Sequence, residues 1–197
     1  MAVLATNVDW DTVDFDGLQD LIVRRPKDAG AAFGAWLRNG GRFAIKAPSA
    51  LVVDRSKPFD PVKFVGAGWS IVEEDTRSLA LTELDFSKVR FESGLQEGER
   101  YITGEEKLKR LTALPEIRLD AKIGQALYEE KGQATLRFLH DHFGVSWIEF
   151  AGTVLRDSDG RRCFLCLYRR GDGSWDWFCF WLDRVRYRGN VSPLLAS

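Results

Sequence analysis

RRCFLCLYRRGDGSWDWFCFWL, residues 161–182, is the stretch on which the fold turns; it holds all three cysteines and three of the seven tryptophans. Asp172-Gly173 lies between two apolar runs. A tight hairpin needs positive φ at that point, which glycine adopts without strain. With Asp172-Gly173 as a two-residue loop, Cys166 faces Cys179, Tyr168 faces Trp177 and Phe164 faces Trp181. One face then carries Phe164, Cys166, Tyr168, Trp175, Trp177, Cys179 and Trp181, and the other Cys163, Leu165, Leu167, Phe178, Phe180 and Leu182. Both are apolar, so both need cover, by helices or by a partner. The preceding run SWIEFAGTVLR (146–156), turned at Asp157-Ser158-Asp159-Gly160, adds a third strand and completes a meander.

Outward from the meander, the middle of the chain is helical. Thr103-Gly104-Glu105-Glu106 has the spacing of a capping box, with the Thr103 hydroxyl accepting from the Glu106 amide and the Glu106 carboxylate reaching back. Leu108 and Leu111 then face the core, with Lys107, Lys109 and Arg110 toward the helix's far end, and Pro115 ends it. Leu119, Ile123, Ala126 and Leu127 mark a second helix, stopped near Lys131-Gly132. Leu136, Leu139, His140 and Phe143 mark a third, stopped at Gly144.

Nearer the N-terminus the pattern is mixed. Asp16 caps a short helix through Leu18, Leu21 and Ile22. Another runs over Ala29, Ala32, Phe33, Trp36 and Leu37 to Asn39-Gly40-Gly41. Five strand runs follow: RFAIKA (42–47), ALVVD (50–54), VKFVGAGWSIVEE (62–74), SLALTEL (78–84) and KVRFE (88–92). Their polar or Pro-containing breaks suit an antiparallel meander rather than parallel crossovers. Gly66 and Gly68 mark a bulge or a close backbone contact, since no phosphate-loop pattern surrounds them. The expected fold is α+β, with two antiparallel β-meanders and an intervening layer of helices. It is one compact unit, 1–197, with two possible subdomains: a mixed α/β part at 1–100, and helices plus the aromatic meander at 101–197.

Composition narrows the function classes. Hydrophobic residues make up 45% and charged residues 29% of the 197, ordinary globular usage. The formal net charge of −1 gives no global handle for nucleic acid or anionic membrane. No apolar run approaches the ~20 residues of a membrane span. The start lacks the basic region of a signal peptide, and three cysteines do not resemble a secreted disulfide framework. A cytoplasmic protein is expected, with no membrane partner.

No motif fixes a reaction, and neither a catalytic set, a metal site nor a cofactor is assigned. Cys163 and Cys166 point to opposite faces of a strand and cannot grip one ion, so the thiols are read as core residues. His140 and His142, the only histidines, do not share a helix face. Pairing either with a cysteine or a carboxylate such as Glu149 gives a hydrolase-type enzyme as one alternative. The acidic clusters at Asp9–Asp16, Glu73-Glu74-Asp75 and Glu105-Glu106 suit solvated or capping roles.

Arginine carries the binding hypothesis. All nine cations beyond residue 132 are arginine, the residue suited to planar, bidentate or stacked contacts. Arg161, Arg162 and Arg170 flank the hairpin strands. Arg184, Arg186 and Arg188 alternate, so they would project to one side if extended. With Tyr168, Trp175, Trp177, Trp181 and Tyr187 they form the candidate binding set, since aromatics and arginine are favoured at interface hot spots. The competing account is that neighbouring aspartates neutralise most of these arginines across the hairpins.

GEEKLKRL (104–111), IRLDAKIGQAL (117–127), GTVLRDSDGRR (152–162) and the closing LLAS resemble uncharacterised bacterial proteins of similar size. The resemblance covers the C-terminal half and implies structural motifs only. The expected function is that of a small non-enzymatic accessory protein binding another macromolecule, a protein in the first reading. RNA or single-stranded DNA binding through the Arg/Trp-rich sheet is the alternative.

Overall fold

Alternating apolar residues in 147–182 build four of the five strands of the central sheet, and helices between 104 and 143 cover it. The chain divides into two compact units, Met1–Lys46 and Ala47–Ser197. The computed structural model describes residues 19, 23, 24, 26–31 and 48–197. Residues 26–31 are helical. The expected helix through Leu18, Leu21 and Ile22, the remainder of the Ala29–Leu37 helix and the strand at 42–47 lie outside the described residues.

In chain order the second unit runs β1 (Leu51–Val52), α1 (Pro61–Phe64), β2 (Ser70–Glu74), α2 (Thr76–Leu79), β3 (Glu83–Leu84), β4 (Arg90–Glu92) and β5 (Ile102–Thr103). It continues with α3 (Gly104–Thr112), β6 (Ile117–Arg118), α4 (Ala121–Glu129), α5 (Ala134–Phe143), β7 (Trp147–Glu149) and β8 (Thr153–Arg156). It ends with β9 (Arg162–Arg169), β10 (Trp175–Trp181), β11 (Val185–Arg186) and β12 (Ser192–Leu195). The fold is α+β with antiparallel sheets. The main sheet has five strands in the order β10-β9-β8-β2, with β7 also on β9; β1-β3, β5-β11 and β4-β12-β6 form smaller sheets.

The hairpin forms as expected, but one residue out of register. Trp177 pairs with Leu167, Phe178 with Cys166, Cys179 with Leu165 and Trp181 with Cys163. Arg170 N–H donates to the Ser174 carbonyl at 2.7 Å, and Gly173, at φ +88°, closes the turn onto the Arg170 carbonyl. The loop is therefore the three residues Gly171-Asp172-Gly173, a type I turn followed by a left-handed glycine. A one-residue slip moves every side chain of a strand to the other face. Trp175, Trp177, Cys179 and Trp181 thus share a face with Cys163, Leu165 and Leu167, while Phe178 and Phe180 join Phe164 and Cys166. The expected Cys166–Cys179 pair does not exist.

The expected single strand 146–156 is two strands. Trp147–Glu149 pair with Tyr168–Cys166, but Leu155 pairs with Cys163, so Phe150-Ala151-Gly152 bulge out of the ladder. Contact with the next layer explains the break. Gly152 N–H donates to the Leu119 carbonyl at 2.9 Å, and a Cβ there would stand 2.2 Å from the Arg118 oxygen. Only glycine permits that approach.

Two other expectations are corrected. In 62–74 the first three residues belong to α1, because Asp60 caps the Val62 and Lys63 amides and Pro61 takes the first helical position. In 78–84 the first two residues belong to α2, capped by Asp75. Pairing is antiparallel as expected, but among β1 to β4 only β1 and β3 join each other. β2 adds to β8 and β4 to β12, so strands from both sides of residue 100 share sheets.

Helices cover both faces of the sheet. On the tryptophan face, Leu167 and Trp175 pack with Ile123, Leu127, Leu136 and Leu139 of α4 and α5, while Cys163 and Leu165 meet Phe59 and Ala121. On the other, Phe164, Cys166 and Leu182 pack with Leu108 and Leu111 of α3. Thr103 caps α3 through the Glu106 amide at 3.2 Å, but the Glu106 carboxylate turns to Arg110 instead of reaching back. Among the described residues no helix is long and apolar enough to cross a membrane.

Candidate functional site

Most of the hairpin's arginine fringe is engaged by nearby carboxylates. The Asp157 carboxylate accepts from the Arg161 amide and Nε, and from the Trp181 indole at 3.1 Å, which sets the Arg161 guanidinium 4.2 Å over the Trp181 ring. Burial alone would raise the Asp157 carboxyl, but those donors hold it below its ordinary value. Arg162 bridges Glu73 and Glu105, and Arg170 pairs with Asp176 at 3.0 Å. Arg184 is exposed beside Asp183. Trp175 is buried, Trp177 packs on Phe64 with ring centres 4.8 Å apart, and Tyr168 meets Trp147 and Phe178.

Arg184, Arg186 and Arg188 do not project to one side. Arg186 turns inward and is wholly buried. Its Nε stands 2.6 Å from Glu149 Oε1, its Nη2 donates to the Phe180 and Trp181 carbonyls, and its guanidinium lies 3.8 Å over the Phe180 ring. The other Glu149 oxygen takes Lys107 Nζ at 2.8 Å, and both of these side chains are also fully buried. Burial pulls the Lys107 ammonium below its ordinary value, with Glu149 opposing and Arg186 assisting. Two cations thus share one carboxylate in the interior. The sequence places Lys107 toward the far end of its helix as a cation favoured by the dipole, because nothing local to residue 107 indicates an acid 42 positions away.

This triad holds the turn that follows β11. Lys107 Nζ also donates to the Asn190 carbonyl at 2.7 Å, so Arg186 and Asn190 are both anchored to Glu149, one directly and one through Lys107. Between them the chain closes a turn, with Asn190 N–H on the Tyr187 carbonyl and Tyr187 N–H on Asn190 Oδ1. Arg188 and Gly189 occupy its tip. Arg188 is exposed and has no ion-pair or hydrogen-bond partner among the described residues. Tyr187 is 58% exposed and meets the equally open Tyr101 edge-on.

Beside that turn lies a cleft of about 640 Å3, walled by the Ser87–Phe91 segment, by 143–146 at the end of α5, and by Arg188, Gly189 and Val191. Gly144, at φ +69°, ends α5 and turns the chain along the wall. The lining carries three cations, Lys88, Arg90 and Arg188, and no carboxylate. Arg90 is committed to Glu92 and Glu116. Among the described residues Lys88 has only Asp85 at 3.4 Å, and it is 74% exposed, so its charge stays available. Phe91 and Phe143, 5.6 Å apart, give the cleft an apolar patch.

The histidines and thiols are placed elsewhere. His140 Nδ1 lies 3.2 Å from the Val145 carbonyl, and His142 stacks on Phe138. Glu149, the acid suggested for them, is held by Lys107 and Arg186. Cys163 and Cys166 lie in different core clusters, on opposite sheet faces. The adjacent Cys179 thiol and burial raise the Cys163 pKa, and burial raises that of Cys166, so neither offers much thiolate. Among the described residues no group of three His, Cys, Asp or Glu side chains converges as a metal site. Comparison of the chain with protein-family models, with curated proteins and with solved structures finds no match.

Proposed function

We propose that this chain is a non-enzymatic cytoplasmic interaction protein, grouped with the bacterial proteins that its C-terminal half resembles, and that it docks a protein partner in the cleft beside the Tyr187–Asn190 turn. The fitting occupant is a protein segment with acidic side chains next to an apolar or aromatic one. Arg188 takes a carboxylate in bidentate fashion, Lys88 takes a second as a point charge, and the Phe91–Phe143 patch takes the apolar group. The observation that carries this reading is Arg188: an arginine unpaired among the described residues, on a turn anchored at both ends to a buried triad, at the rim of a cleft whose described lining holds no carboxylate.

Quantitative capture from native-host extract tests it, comparing the wild type with Arg188→Glu and with Arg156→Glu. Arg156 is exposed at the far end of the sheet, so it serves as a charge-matched control. The expected result is a protein retained by wild type and Arg156→Glu and lost by Arg188→Glu, with thermal unfolding of all three alike. An unchanged partner set for Arg188→Glu, or loss of nucleic acid rather than protein, would overturn the proposal.

A further inference from the structure

The two edges of the five-stranded sheet are built differently. β2, at one edge, carries a register shift between Ile71 and Glu73 and two acidic residues, Glu73 and Glu74. Bulges and charges of this kind keep a sheet edge from pairing with another chain. β10, at the other, runs seven residues in regular register with six of them apolar, and it contains no Pro or Lys. Its one acid, Asp176, is paired with Arg170.

The ladder's phase determines which backbone groups face outward. Arg170 bonds Ser174 and Arg162 bonds Leu182, so the alternating pattern turns the backbone groups of Trp175, Trp177, Cys179 and Trp181 away from β9. Asp176 Oδ1 takes the Trp177 N–H, and Arg184 and Arg186 take the Trp181 carbonyl. Among the described residues the Cys179 N–H and C=O have no hydrogen-bond partner and no strand lies beyond β10 there.

We propose that β10 is the seam of a symmetric dimer, in which a second copy of this chain adds its own β10 antiparallel about a two-fold axis at Phe178. The strand is self-complementary about that point. The Cys179 N–H meets the carbonyl of Trp177 of the partner subunit, and Trp175 lies opposite Trp181 of the partner subunit. Asp172, in the hairpin turn, and Arg184, just past the strand, are both exposed and lie equally far from Phe178. Asp172 therefore meets Arg184 of the partner subunit on each side of the axis. Such isologous pairing gives the Cys179 N–H and the Trp177 carbonyl partners on both sides of the axis and closes the edge.

Sedimentation equilibrium of the full chain tests the proposal. The expected wild-type mass is twice the 22.3 kDa of one chain at concentrations of tens of micromolar. Arg184→Asp weakens the dimer at least tenfold, and adding Asp172→Arg restores it. Cys179→Pro, which removes an outward N–H and no hydrogen bond of the β9–β10 ladder, gives a monomer with an unchanged far-ultraviolet spectrum and serves if the turn does not tolerate Asp172→Arg. A wild type that stays monomeric throughout, or a dimer that survives both Arg184→Asp and Cys179→Pro, would contradict the seam. A folded double variant that remains monomeric would contradict the register.

Discussion

The hairpin at 161–182 and the turn at 187–190 both carry arginine beside aromatic side chains, yet carboxylates occupy most of the hairpin's arginines while Arg188 on the turn keeps its charge available. In the hairpin, Asp157, Glu73, Glu105 and Asp176 lie within reach of Arg161, Arg162 and Arg170 and occupy them. At the turn, Arg186 is drawn inward by Glu149, and Arg188 at the tip pairs with no acid among the described residues. Composition alone does not identify a binding surface. The acids that each arginine can reach decide whether it serves the scaffold or a ligand.

The comparison breaks most completely at Glu149. Glu149→Ala leaves Lys107 and Arg186 buried without their counter-charge, and loss of one partner from a buried ion pair costs about 3–5 kcal/mol. Chemical denaturation should show that loss, with backbone amides of 187–190 exchanging faster because both anchors of the turn are gone. Normal stability would mean that the triad does not hold the turn.

A smaller effect sharpens the hairpin side. The Asp157 carboxyl is held below its ordinary value in the folded chain. Its contribution to stability is therefore present above the unfolded carboxyl pKa of about 3.9 and is lost as pH falls through the lower folded value. Acid should release the Trp181 indole and the Arg161 stack, changing tryptophan fluorescence below about pH 4. Asp157→Asn should abolish that acid transition; an identical transition in the variant would assign it to another group.

Local chemistry explains what was legible in the sequence. The hairpin, the Thr103 cap and the Gly144 stop depend on residues within a few positions of each other, and all are present. The register failed because Gly171-Asp172-Gly173 contains the two-residue signal inside a three-residue loop. The α1 start was readable in Asp60-Pro61 but was masked by the apolar run after it. The bulge at Gly152 depends on a strand more than thirty positions away, which no local pattern encodes. The binding set divided on the same principle: Tyr187 and Arg188 remain open, whereas Arg186 and Trp175 are buried through partners distant in sequence. Lys88, Phe91 and Phe143 join the cleft only through the tertiary fold.

Hydrogen–deuterium exchange of the chain with and without its captured partner tests the central claim most directly. Slowed exchange is predicted at 86–91, 143–146 and 187–191, with the 161–182 hairpin unchanged by that partner. Slowed exchange confined to the hairpin, with those three segments unaltered, would contradict it.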